Sequence, residues 1–309
     1  MSDGPSPAER TGQSVPRRHH YIPQMVQRRF AGSDGQLWSF DKRHPERGVE
    51  RRPIKRLFQV RHLYTIRRRD GTRDTTTETR LSAIESRAGP VLERVIKDAR
   101  AGRLTTFSQA DQRALVDLLI AQHRRSPDLH RGVLIRRSVD SIIADGMAQW
   151  EALHGSPSAE ERAFLASPKF IERARRDAMA EGAASPLETA TPAMLQRGFA
   201  VARITAPRRA FILGSTPFAR FMAMGTRRQD LGDPGAELWM PVAWDVAICS
   251  VGRAGYSAFI DADDPRIRKM NRAVVGSSTV FASASRDLVE AYARTAKRGL
   301  RIRGGWEEP

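Results

Sequence analysis

Two histidines, two glutamines, three arginines and two aromatic rings fall within residues 18–30, Arg18-His19-His20-Tyr21-Ile22-Pro23-Gln24-Met25-Val26-Gln27-Arg28-Arg29-Phe30. An imidazole titrates near neutrality, so His20 can serve as a general base, a metal ligand or a phosphate contact. Gln24 stands one helical turn further on and can turn its amide toward the same place. Tyr21 and Pro23 read as structural, the ring as packing and the proline as the residue at or before a helix start. His19 reads as the end of a basic leader. The competing reading of His20 is also structural: a ring packed at the first turn of a short helix and hydrogen-bonded to backbone.

Two carboxylates complete the candidate set. Glu78 and Glu85 are seven residues apart on an expected helix, so they share a face about two turns, or roughly 10 Å, along it. Leu81 lies on that face, which puts both acids at the helix–core boundary, where a carboxylate needs a cation. Arg125 and Arg28 are the candidates. A structural Glu–Arg clamp fits this pattern, and so does a catalytic or metal-binding carboxylate. Asp41 and Asp245 are weaker candidates. The His-His-x-x-Pro start resembles the first half of an H-N-H nuclease box, in which a histidine activates water beside a metal. No nearby strand supplies the Asn and His that box needs; His44 and His62 stand unsupported, and Asn271 lies far along the chain.

These side chains have to be positioned by a chain of 309 residues, enough for one large domain or two modest ones, with 40% hydrophobic residues to build a core. Formal net charge is +17, from 46 Arg and 6 Lys against 35 acidic residues, and residues 1–100 hold 22 basic and 12 acidic side chains. Clustered arginine suits a polyanion, because bound phosphates release their counterions; an arginine-biased, solvated surface explains the same numbers. Arg28, Arg29 and Arg124 are the candidate nucleic-acid contacts. The one cysteine, Cys249, excludes an internal disulfide and a Cys-rich zinc site, and its strand-like flanks predict a buried, inert thiol. No apolar run reaches the roughly 18 residues of a membrane helix, and no signal-peptide core is present, so the expected location is cytoplasmic, without a membrane partner.

Residues 1–17, rich in Ser, Pro and Gly, read as a flexible leader. Period-two alternation over 36–41 predicts a strand, a basic loop follows, and 57–60 and 63–66 suggest further short strands. A polar turn with Asp70-Gly71 at its tip precedes a helix starting near Thr75–Glu78 and ending near Gly102. Ser108 and Asp111 form a box-like helix start. Ser126-Pro127 should break that helix, because the residue before a proline avoids helical geometry. Helical spacing resumes over 129–153, then over 159–181 with an interruption at Ser167-Pro168, and a further helix should start at Pro192. Beyond it, 200–205, 210–214, 238–242, 246–251 and 278–281 read as strands, 266–275 and 287–297 as helices. The expectation is a single α+β domain over 18–300 with a helical middle at about 78–181, a tail at 301–309, and N- and C-terminal strands that can meet in one antiparallel sheet.

The opening box, His19-His20-Tyr21-Ile22-Pro23-Gln24 through Phe30, resembles the start of a bacterial family known as domain of unknown function 4238, whose members look like H-Y-V-P-Q-x-x-L-x-x-F. The resemblance continues in the Trp38 strand, in Glu78, Leu81, Ile84 and Glu85 as an E-x-x-L-x-x-I-E helix, in Arg125-Ser126-Pro127, and in the Asn271-Arg272 pair. Two elements depart from the family pattern: Gly214-Ser215-Thr216-Pro217 stands in place of S-D-x-P and lacks its aspartate, and Pro241-Val242-Ala243-Trp244 stands in place of P-L-[ST]-P. The family implies architecture rather than a settled activity.

The leading functional expectation is a nucleic-acid-acting protein, a nuclease or defence-type effector. His20 is its acid/base and Gln24 an amide toward the same cleft. Glu85 is a metal-binding or orienting carboxylate, and Arg125 with Arg28 holds phosphate. Glu78 and Asn271 take structural or secondary roles. The alternative is a non-enzymatic binding or interaction protein whose box staples the N-terminal segment to the helices. A divalent metal, the choice of RNA or DNA and the oligomeric state stay open.

Overall fold

The computed structural model describes residues 18–67, 72–130, 133–185, 190–222 and 235–302. The expected leader over 1–17 and the Asp70-Gly71 tip lie outside these residues. In chain order the elements are β1 (Arg18–His20), α1 (Gln24–Gln27), β2 (Gln36–Asp41), β3 (Val49–Pro53), β4 (Gln59–Arg61), β5 (Ile66–Arg67), β6 (Arg73–Asp74), α2 (Thr76–Arg100), α3 (Gln109–Arg125), α4 (Pro127–His130), α5 (Val133–His154), α6 (Ala159–Leu165), α7 (Pro168–Gly182), α8 (Ala190–Leu195), β7 (Gly198–Arg203), β8 (Leu213–Gly214), β9 (Ala219–Met222), β10 (Ala236–Pro241), β11 (Val246–Val251), β12 (Ser257–Asp261), α9 (Asp264–Ser277), β13 (Val280–Ser283) and α10 (Arg286–Ile302). The architecture is α+β. The last helix runs through Ile302, so residues 301 and 302 of the expected tail are helical.

Strands from the two ends of the chain do meet, in the antiparallel order β3-β2-β13-β8. Phe40 of β2 sits opposite Phe281 of β13, and both rings are buried. The segment 49–53 departs from the expected basic loop and forms the edge strand β3. Its charged residues Glu50, Arg51 and Arg52 hid it from a hydrophobic-pattern reading, but charge suits an edge strand, where it discourages pairing with another chain. The other C-terminal strands form a second, mixed sheet in the order β12-β7-β11-β10-β9, with β12 parallel to β7. Gly252 and Gly255, at φ of +66° and +77°, make the turn that carries the chain to β12.

Gly198 opens β7 where the Phe199 N–H donates to the Tyr256 carbonyl at 3.0 Å. A Cβ at Gly198 would overlap that carbonyl oxygen and also meet the Tyr256 Cβ at 2.8 Å. Backbone cannot swing aside as a side chain can, so Gly198→Ala should lower stability by about 1–3 kcal/mol. Thermal melts of the two proteins check this; an unchanged midpoint would refute the close approach.

The helical middle follows from periodicity and capping. Leu81, Ile84, Ala88, Val91, Leu92, Val95 and Ala99 form the buried stripe of α2, which packs on α3 and β7. Ser108 and Asp111 close a reciprocal capping box at the start of α3. Ser126 is extended and ends α3 before Pro127, as expected from the proline rule. Ser167 caps α7 by accepting from the Phe170 N–H at 3.3 Å, which explains the interruption between α6 and α7.

The break at Ser126-Pro127 also makes a cross-link. Ser126 donates its hydroxyl to the Ser215 carbonyl at 2.7 Å. The Asp128 carboxylate accepts from the Thr279 N–H at 2.9 Å, the Thr279 hydroxyl at 2.7 Å and the Ser215 hydroxyl. The turn Ser215-Thr216-Pro217 has no aspartate of its own, yet a carboxylate stands against it, supplied by Asp128. Helix α3 is thereby fastened to the antiparallel sheet.

Candidate functional site

The opening box is held by its own backbone. In the pairing of β1 with β4, His19 faces Val60 and His20 faces Gln59. The Tyr21 N–H donates to the Phe58 carbonyl at 2.9 Å, and Phe58 adopts φ of +52°, a conformation uncommon for a bulky residue. Pro23, which needs no N–H partner, leads α1, and its carbonyl accepts from the N–H groups of Val26 and Gln27. Gln27 reaches back to the Ile22 carbonyl at 2.8 Å.

Successive strand residues point to opposite sides, and the two histidines differ in burial and in partners although both reach the same cleft. His19 is 2% exposed and stacks on Tyr64. Its Nδ1 accepts the Tyr64 N–H at 3.0 Å, so its proton sits on Nε2, which lies 3.4 Å from Glu78 Oε2. The assignment of His19 to a basic leader is therefore corrected: pairing with β4 buries it, and Glu78 is its partner. His20 is half-buried, and its Nδ1 lies 3.4 Å from the Gln24 amide nitrogen. Its Nε2 is buried without a hydrogen bond of good geometry. Burial lowers the His20 pKa below its ordinary value, and the nearby Arg125 charge adds to the shift, while the Ile54 and Lys55 carbonyls and Glu85 oppose it.

Arg125, at the end of α3, is 2% exposed. Its Nε donates to the Tyr21 carbonyl at 2.8 Å and to Gln122 Oε1 at 3.0 Å, and Nη1 donates to Glu85 Oε1 at 2.7 Å. Gln122 also donates to the Tyr21 carbonyl, at 2.8 Å. Nη2 of Arg125 is buried and has no acceptor. Glu85 remains 29% exposed.

His20, Gln24, Glu85 and Arg125, the four residues singled out as catalytic candidates, line one open, polar cleft of ≈ 420 Å³, together with Arg18, His19, Arg28, Tyr64 and Glu78. Of the two possible partners for Glu85, Arg125 is the one that pairs with it. Arg28 is exposed at the cleft edge. Arg29 lies on the far side of it, donating to the Gly89 carbonyl at 3.5 Å and standing 3.8 Å from Glu93. Arg124 does not join the cleft: it donates to the Ser185 carbonyl at 3.2 Å, beyond the end of α7, because it sits one residue round the helix from Arg125. Asn271 is equally remote, bridging the Ile212 N–H and the Ala210 carbonyl at 2.9 Å each and fastening α9 to the segment before β8. Asp41 pairs with Arg43 and Asp245 with Arg100. Cys249 is fully buried, and burial pushes its thiol pKa well up, as its strand flanks suggest. Tyr64 was not anticipated in the site; strand alternation through His19 and His20 was the only available hint that one ring must face inward.

A family model described as Protein of unknown function (DUF4238) matches residues 18–287. The chain belongs to that family. No curated protein and no solved structure matches it. In this DUF4238 protein the match begins at the first residue of β1 and ends at the start of α10, so it includes every residue of the cleft. Among the described residues no helix is long and apolar enough to cross a membrane.

The donors present fit a metal poorly. Among the described residues no group of three or more His, Cys, Asp or Glu side chains stands together, and Glu85 is engaged by Arg125. What the cleft offers is a half-buried imidazole beside an amide, a buried guanidinium with one donor unspent, and a carboxylate fixing that guanidinium.

Proposed function

We propose that this DUF4238 protein acts on nucleic acid as a phosphodiester-cleaving enzyme, with His20, Gln24, Glu85 and Arg125 as its site. The observation that supports this reading is the convergence of those four side chains on one open cleft flanked by Arg18 and Arg28. An orphaned, buried guanidinium N–H is costly, and a phosphoryl oxygen is the acceptor such a donor suits best. In this reading Arg125 holds the phosphate and offsets charge as it builds on the phosphoryl oxygens. Glu85 fixes the guanidinium rather than binding a metal. His20 takes the proton from the attacking oxygen as the new P–O bond forms and the bond to the leaving oxygen breaks. Its lowered pKa keeps it in the proton-accepting form at neutral pH. In this reading the ring proton is on Nε2, toward the Ile54 and Lys55 carbonyls, and Nδ1 is the accepting atom: the attacking hydroxyl takes the place of the long Gln24 contact there, and water protonates the leaving oxygen.

A second reading, a non-enzymatic binding protein with a stapling box, is favoured by Arg125 giving Nε and Nη1 to acceptors within the protein. The two separate in one experiment: binding and cleavage of labelled RNA and DNA by wild type and His20→Ala, with and without Mg²⁺ or Mn²⁺, at matched thermal stability. Cleavage that disappears with His20 at unchanged stability supports the enzyme. Salt-sensitive binding without cleavage, equal in both proteins, replaces it with the binding protein. A His20→Ala protein that unfolds makes the box a staple.

A further inference from the structure

A second groove, of ≈ 550 Å³, lies between α1, α2 and the turn joining β10 to β11. Its walls carry Arg28, Arg29, Lys97 and Arg100, with Glu93 the one acidic residue, and its aromatic element is Trp244. Arg28 lines both this groove and the His20 cleft, so the two are adjoining. Arg28 and Lys97 are exposed and make no ion pair among the described residues.

Trp244 combines a fixed backbone with an open ring. Its N–H donates to the Arg29 carbonyl at 3.2 Å, and its carbonyl accepts the Phe211 N–H at 2.7 Å. The next residue, Asp245, is 5% exposed and takes a two-pronged ion pair from Arg100, at 2.8 and 2.9 Å. Trp244 as a residue is 42% exposed. A large ring on a backbone fixed at both its N–H and its carbonyl is presented to the groove at one place, and the surrounding cations select for an anionic partner. A flat ring with cations around it is the arrangement by which proteins hold single strands, whose bases expose a π-face that a duplex hides.

Given the nucleic-acid reading, on which this inference rests, we propose that the Trp244 groove is a docking site for single-stranded nucleic acid. An unpaired base stacks on the indole, Lys97 and Arg28 hold the flanking phosphates, and Arg28 hands the strand on to the His20 cleft. The protein then prefers single strands over duplex of equal length.

The test is anisotropy of a fluorescein-labelled oligo-dT and of a duplex of the same length, with the full chain, at about 50 and 200 mM salt. Wild type should bind the single strand more tightly. Trp244→Ala should weaken that binding about ten-fold and leave the duplex unaffected, and Trp244→Phe should keep most of the affinity. Lys97→Glu, at an exposed residue that carries no packing role, should weaken both and flatten the salt dependence. Single-strand affinity unchanged in Trp244→Ala, or lost equally for duplex, would overturn the docking site while leaving the cleavage reading standing. Wild type that binds neither probe at the lower salt would remove both. Should Trp244→Ala fail to fold, quenching of wild-type tryptophan fluorescence by oligo-dT, absent in Trp244→Phe, decides the same question.

Discussion

Arg125→Met should lower the stability of the chain by about 3–5 kcal/mol, the range seen when one partner of a buried ion pair is removed. Methionine fills most of the vacated volume, so the loss comes from polar groups rather than from a cavity. Gln122, fully buried, loses the donor to its Oε1, and Glu85 loses its cation. An orphaned buried acceptor alone costs about 1–3 kcal/mol. Because Glu85 is partly exposed, water can recover some of the second loss, which places the expectation nearer the lower figure. The Tyr21 carbonyl keeps its bond from Gln122 and limits the damage to the box. Urea unfolding measures this as a lower midpoint at unchanged slope. Glu85→Gln is the informative companion, since it keeps an oxygen for Nη1 and should be much milder. If Arg125→Met unfolds no more easily than wild type, the guanidinium is not the buried cross-link described above.

Under the proposed cleavage reaction, His20→Ala should reduce the rate by about 10²–10⁴-fold, the usual contribution of a positioned general base. Burial has lowered the pKa of this imidazole, so wild-type activity should rise along an acid limb centred below the ordinary histidine value of 6.5. The same shift sets a stability effect. Between the folded-state pKa and 6.5 the unfolded chain binds the extra proton, so stability contributed by neutral His20 is complete above 6.5 and declines as pH falls through that window. Below the folded-state pKa the loss levels off. Melts from about pH 7 to about pH 4 should therefore show wild type losing stability relative to His20→Ala as the pH falls. An acid limb centred above 6.5 would contradict the desolvated site.

Much of this was written locally. The apolar stripe of α2, the Ser108–Asp111 box and the stop at Ser126-Pro127 each depend on neighbours within a few residues, and each is where its sequence places it. The convergence of His20, Glu85 and Arg125 was legible only as types at separate positions, a ring, an acid on a helix boundary and a cation needing a partner. What decides their meeting is a set of pairings between distant segments. His19 looked like leader because nothing nearby says that β4 will cover it. β3 is charged because it is an edge, a property of the sheet and not of five residues. Asp128 gives no local sign that Ser215 and Thr279 will be its partners. Trp244 is a single aromatic in a short turn, and its exposure follows from which carbonyl of α1's following loop accepts its N–H.

One consequence of the sheet order concerns the timing of assembly. β2 finds its inner neighbour in β13, some 240 residues later, and Asp128 finds Thr279 on the same late segment. Contacts so far apart close slowly and only after the intervening loop entropy has been overcome. A ribosome-bound chain that has emerged only as far as α9 can form α2 and α3, but it leaves β2 with a bare edge and Asp128 without its amide. The opening box is held by β4 and α3, which precede β13 in the chain, whereas the sheet that contains β2 is completed only by β13. During synthesis the antiparallel sheet therefore stays open until β13 emerges, although every residue that lines the cleft, from Arg18 to Arg125, is made well before it.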